Sequence, residues 1–200
     1  MNQARISESL WMSMIALSFA AIATTAGAQT NGASRPRVDF AVTFAADRTN
    51  AVHNSNQWLT GGSAELGVQA WRGFGVAAKV TGLTTSSIGS QGIPLNLVIT
   101  TIGPRYRISR LNAKGQGISI YCEGLIGEAN GFRSEFASSA GVTDSSNAFA
   151  AEVGGGFDYS LASRIGLRVV EANWTRTQFP NGTTNLQNHL QVGTGIFLRF

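Results

Sequence analysis

Seven ionisable residues stand singly among apolar and small neighbours along the 200-residue chain: Glu65, Lys79, Arg105, Glu123, Glu152, Arg168 and Glu171. The four carboxylates and three cations nearly balance, and most lie a few residues from a short turn signal. Glu65 and Lys79 are near-symmetric about Arg72, so a tight hairpin over Trp71-Arg72-Gly73 sets them side by side. Buried charges of this kind persist when paired and hydrogen-bonded. They imply either a structural ion network or, if they lie in a membrane, a path for protons or ions.

The elements that hold them are strands. Apolar residues recur at every second position in eight runs, separated by stretches rich in Gly, Asn, Ser and Thr. In VDFAVTFAA, Val38, Phe40, Val42 and Phe44 oppose Asp39, Ala41, Thr43 and Ala45. In FGVAAKVTGL, Phe74, Val76, Ala78 and Val80 oppose Gly75, Ala77, Lys79 and Thr81. The other runs span about Leu59 to Gln69, Leu97 to Arg107, Ile118 to Gly127, Phe149 to Tyr159, Arg164 to Thr177 and Leu190 to Phe200. The seventh loses phase, and Glu171 and Asn173 share a face with Arg168 only across a bulge. The connections alternate in length. Those after the odd strands are long (47–57, 84–94, 130–147 and 178–188), and those after the even strands are shorter. Eight strands joined this way form an antiparallel up-and-down barrel with both ends at the short-turn side.

Residue size sets the faces. One face carries Phe, Val, Ile, Leu and Tyr; the other carries Gly, Ala, Ser, Thr and the isolated charges. An eight-stranded barrel is just wide enough inside for side chains to fill it. The small and charged set therefore belongs in the lumen, and the bulky set forms an outer surface suited to lipid. The fold class expected is all-β, an eight-stranded transmembrane barrel. In so narrow a lumen the charges act as a plug rather than a path. Trp58, Trp71, Phe74, Tyr106, Tyr159, Trp174 and Phe200 fall near strand ends, as aromatic girdles do.

The N-terminal stretch supports export. Arg5 and Glu8 precede an apolar run from Leu10 to Ala23, and Ala26-Gly27-Ala28 follows as a small-residue cleavage site. This predicts a signal peptide over 1–28, cut beside Ala26 and Ala28, and a barrel domain over 29–200. The lone Cys122 excludes an internal disulfide. Only 13% of residues are charged, and the net +4 is scattered without a patch or stripe, which argues against nucleic acid as partner. No cofactor or metal is expected.

GPRYR at Gly103 to Arg107, GGGFDY at Gly154 to Tyr159 and the aromatic-ended last strand resemble the small outer membrane beta-barrel domain proteins of Gram-negative bacteria. These are related in architecture to the OmpA and OmpX barrels. The resemblance spans 29–200 and implies a monomer among outer-membrane lipid and lipopolysaccharide, inserted by the outer-membrane assembly machinery. That machinery would read Phe200, with Val192, Ile196 and Leu198 as its alternating partners. The role implied is structural or surface-interacting, with the loops, above all 130–147, as contact surface. A narrow channel for ions or small solutes is the alternative. His53-Asn54-Ser55-Asn56 resembles the H-x-S-N motif of outer-membrane lipid A deacylases, but it sits in the first long connection with no acidic partner evident. The chain is therefore expected not to be an enzyme.

Overall fold

The computed structural model describes residues 37–52, 55–88, 92–138, 141–180 and 185–200. The expected signal segment with Ala26 and Ala28, and His53 and Asn54 of the H-x-S-N stretch, lie outside the described residues.

Eight strands form one closed barrel: β1 (Arg37–Val52), β2 (Ser55–Trp71), β3 (Phe74–Ile88), β4 (Ile93–Leu111), β5 (Gly117–Ser138), β6 (Gly141–Ser160), β7 (Ile165–Thr177) and β8 (Gln187–Arg199). Each pairs antiparallel with its sequence neighbour, and β1 pairs β8, with Asp39 opposite Arg199 and Thr49 opposite His189. Closure leaves no sheet edge around the wall, so the ladder satisfies the backbone polar groups there. Backbone bonds between Val38 and Phe200 finish the seam at the short-turn end.

The turn between β2 and β3 is two residues long, with Trp71 opposite Phe74. Arg72 and Gly73 both have positive φ, 45° and 94°, as a type I′ hairpin turn requires. The β6–β7 ladder slips by one residue: Phe157 pairs Val170 whereas Asp158 pairs Arg168. The extra residue is Val169. Val169 and Val170 therefore both face outward while Arg168 and Glu171 both point in, which is the bulge that the loss of phase in the seventh run predicts.

The strands are longer than their sequence periodicity implies. Most of 47–57 and 84–94 is strand rather than loop. The segment 130–147, expected as a long loop, is a hairpin in which β5 and β6 stay paired out to Ser138 and Gly141. It continues beyond the last β4 partner pair, Asn96 with Phe132, and the last β7 pair, Ala150 with Thr177. These outer segments read as loops because they are polar, yet a ladder needs only backbone groups and extended φ/ψ.

Around the middle of the wall the outward face is apolar. Phe40, Val42, Phe44, Val76, Ile102, Ile120, Ile126, Val153, Leu190, Val192 and Ile196 are all exposed. Cys122 lies on this face as a free thiol.

Candidate functional site

All seven predicted charges point into the lumen, and each is at most 5% exposed. Glu65 and Lys79 are cross-strand partners, as the hairpin symmetry requires. They are not each other's ion pair. Lys79 Nζ reaches across to β6 and β7, meeting Glu152 Oε1 at 2.8 Å and Glu171 Oε1, with Glu123 at 3.8 Å. Glu65 instead meets Arg105 and, at 2.8 Å, Arg168. Cross-strand adjacency alone therefore does not fix the pairing, since Glu65 and Lys79 lie side by side and each finds its partners on other strands.

Two arginines organise the rest. Arg105 grips Glu123 Oε2 through Nε at 2.9 Å and Nη2 at 2.7 Å, and touches Asp39 at 3.1 Å. Arg168 spans Glu65, Asp158 at 3.2 Å and Glu171 at 2.6 Å. Three further members follow from the same inward alternation: Asp39, Arg107 and Asp158. Arg107 joins the two aspartates at 3.4 and 2.9 Å. Among the described residues the cluster holds six carboxylates and four cations.

Tyr121 lies at its centre. Its hydroxyl donates to Glu171 Oε2 at 3.2 Å, and its ring lies 4.6 to 5.0 Å from the guanidinium carbons of Arg168, Arg105 and Arg107. Ring quadrupole and cations attract. Gly156 makes room, since a Cβ there would lie 2.7 Å from the Tyr121 hydroxyl. Thus Gly156 relieves crowding beneath the ring, while a Cβ at Gly154 would meet the Asn173 side chain. Glu65 Oε2, Asn173 Oδ1, Gln191 Nε2 and Thr101 Oγ1 are buried with no hydrogen-bond partner in the protein.

Toward the long-hairpin end the lumen changes character. Leu59, Leu83, Leu95, Leu97 and Ile99 point inward with small alanines between them. Phe136 folds in from the β5–β6 hairpin and stacks on Phe179 at 5.3 Å between centroids. Phe136, expected on a contact loop, is thus a packing residue, while Phe132 stays on the outside. Beside this apolar layer, His189 Nδ1 lies 3.1 Å from Asp47 and Nε2 lies 3.2 Å from Thr177 Oγ1. The sequence gives His189 no visible acidic neighbour, because Asp47 is 142 positions away. The order hydroxyl, imidazole, carboxylate resembles a nucleophile relay, but all three residues are at most 1% exposed. The three side chains link β7, β8 and β1 across the closing seam. Gln187 and the backbone of Phe179 exchange two hydrogen bonds of 2.8 and 3.0 Å directly above it.

The last strand alternates as its sequence predicts. Gln191 and Phe197 point inward, and Arg199 stacks over the Phe197 ring at 5.1 Å. Val192, Ile196, Leu198 and Phe200 face outward. Among the described residues, no group of three or more His, Cys, Asp or Glu is placed to hold a metal.

No protein-family model and no curated protein matches the sequence. Solved structures do match in shape. Ail, the attachment invasion locus protein of Yersinia pestis, is 14% identical, covering 82% of this chain and 98% of its own, with a TM-score of 0.53. Ail in complex with the heparin analogue sucrose octasulfate gives 15% identity, 82% and 99% coverage and a TM-score of 0.55. Neisserial surface protein A is 13% identical, covering 85% of this chain and 100% of its own, with a TM-score of 0.54. Eight antiparallel strands closed in sequence order, apolar outside and ionic within, give this chain the fold of the small eight-stranded bacterial outer-membrane β-barrels.

Proposed function

We propose that this protein is an integral outer-membrane barrel with a structural or surface-interaction role, a closed lumen and no catalysis. One observation carries the reading: all eight strands turn bulky apolar side chains outward around the mid-wall while charged ones interlock within. Such a surface is ruinous in water and required in lipid. The aromatic residues Trp58, Trp71, Phe74, Trp174 and Phe200, each 45 to 74% exposed, suit the two interfaces. The short turns would face the periplasm and the β5–β6 hairpin the exterior, where an attachment protein of the same fold, Ail, offers a precedent for surface contact. The outer-membrane assembly machinery would recognise the outward set Val192, Ile196, Leu198 and Phe200, and the barrel would work as a monomer.

A narrow channel is the second reading, favoured by the unpartnered polar atoms of Thr101, Asn173 and Gln191 in the ionic half. Planar-bilayer recording separates the two. The closed-lumen reading expects no discrete openings from the wild-type barrel; openings that vanish when Glu65 or Lys79 is neutralised would establish the channel. Fractionation tests the location: a protein in the soluble periplasm, with no gel-mobility shift on boiling, would defeat the membrane assignment.

A further inference from the structure

A concavity of about 530 Å³ opens on the outer wall near the long-hairpin end. It is lined by Trp58 and Thr60 of β2, Thr84 and Ser86 of β3, Asn96 of β4 and Arg133 of β5, and its lining contains no carboxylate. The residues come together because they occupy neighbouring outward positions. Thr60 pairs Thr84, Thr84 pairs Asn96, and Asn96 pairs Phe132. The Thr84 hydroxyl donates to Asn96 Oδ1 at 2.6 Å, which fixes the amide. Arg133 follows the end of the β4–β5 ladder, at an irregularity of β5 where its φ is +57°. A non-glycine residue is uncommon in that region, and here the irregular backbone swings a guanidinium into the concavity. No carboxylate among the described residues pairs with it. A second cation, Arg48, is exposed beside Trp58 as its cross-strand partner.

The row directly below is different. There, Phe44 pairs Gly62, Gly62 pairs Gly82, and Gly82 pairs Val98. Two adjacent strands therefore present no side chain. Phe44, 62% exposed, and Val98 wall the resulting trough, which is about 10 Å wide from the spacing of neighbouring strands. A bare apolar trough beneath a rim of hydroxyls, an amide, an exposed indole and the exposed cations Arg133 and Arg48 matches one kind of molecule. Hydrocarbon fits below, a polyhydroxylated head fits above, and phosphate complements the guanidinium.

We propose that this concavity binds a phosphorylated, multiply acylated glycolipid of the outer leaflet, with phosphate on Arg133 and an acyl chain along Gly62 and Gly82. The assignment rests on the membrane reading and gives it a fixed lipid on one side of the barrel. Trp58 would cover the sugar face, and Thr60, Thr84 and Asn96 would supply its hydrogen bonds.

The test is native mass spectrometry of the full-length folded barrel, released from detergent after incubation with diphosphoryl lipid A, its dephosphorylated form, or phosphatidylglycerol. Diphosphoryl lipid A should be retained about tenfold better than its dephosphorylated form, the worth of one charge-assisted contact, and better than phosphatidylglycerol, which offers a phosphate without the sugar or the additional acyl chains. Arg133→Gln should abolish the preference for phosphate. Gly82→Leu should lower retention of diphosphoryl lipid A by a similar factor with the boiling-dependent gel shift intact, because nothing lies within 4 Å of a Cβ at Gly82. Equal retention of the three lipids by an inserted barrel, or retention unchanged in either variant, would overturn the site alone. A barrel that does not enter vesicles would overturn the site and the membrane reading together.

Discussion

One ladder runs the length of the wall, yet its two ends obey opposite rules. In the half near the short turns, charges point in and bulk points out. Arg105 and Glu123 pair inside while Ile102 and Ile126 face outward. Near the long-hairpin end the pattern inverts. Leu59, Leu83, Leu95 and Leu97 fill the lumen, while Arg48, Thr60, Thr84 and Ser86 face out. The backbone alternation is the same in both halves; only the solvent it answers to has changed. The lower half is ordered as in lipid and the upper half as in water. The change of rule along β2, β3 and β4 marks a level on the wall without reference to any bilayer.

Substitutions can break or sharpen that contrast. Arg168→Met should have the largest effect, because it takes a shared cation from Glu65, Asp158 and Glu171 in a buried cluster where carboxylates already outnumber cations. Breaking a buried pair costs about 3–5 kcal/mol, to be read from urea-dependent refolding into vesicles. A loss below about 1 kcal/mol would mean that water, not arginine, balances those carboxylates. On the outer face, Ile102→Lys should cost about 2–4 kcal/mol if that position meets the bilayer interior. In the apolar layer, Leu97→Ala should cost about 2–3 kcal/mol by opening a cavity, and its cost should not respond to salt. Thr177→Val removes the hydroxyl's contacts with both Gln187 and His189, each worth about 1 kcal/mol. Least of all, Ser145→Lys on the exposed hairpin should stay within about 0.5 kcal/mol. Equal penalties for Ile102→Lys and Ser145→Lys would erase the boundary between the halves.

The lower half was legible because bulk and charge separate cleanly between the two faces there. The bulge before Glu171 could be anticipated because inward charges on either side of it fall out of phase. Asp39, Arg107 and Asp158 lie on the same inward face, but alternation assigns a face and not a partner across the lumen. Sequence proximity even misleads: Glu65 and Lys79 are neighbours on the sheet and bond elsewhere. The upper half was harder to read. In PLNLVITT the inward Leu95, Leu97 and Ile99 stand between outward residues that include Val98, so little contrast in size or polarity marks the faces. The polar outward residues of 47–57, 84–94 and 130–147 look like loop because strands in water carry polar residues on one side. Asp47 and His189 meet only through closure of the barrel, which no local pattern encodes.

That closure has a consequence for time as well as shape. Seven of the eight seams join consecutive strands and can zip one after another; the eighth joins β1 to β8. Lys79 on β3 finds Glu171 on β7 at a separation of 92 positions, and His189 finds Asp47 at 142. Contacts so distant form late, because loop-closure entropy must be met before they return anything. Until then, a sheet entering lipid would present bare charges on one face and an unpaired edge at each side. A half-inserted intermediate is therefore the least tolerable species on the route. Crossing the bilayer and joining the last strand to the first should be one concerted event, whose rate falls steeply when any charge of the cluster is left without its distant counterpart.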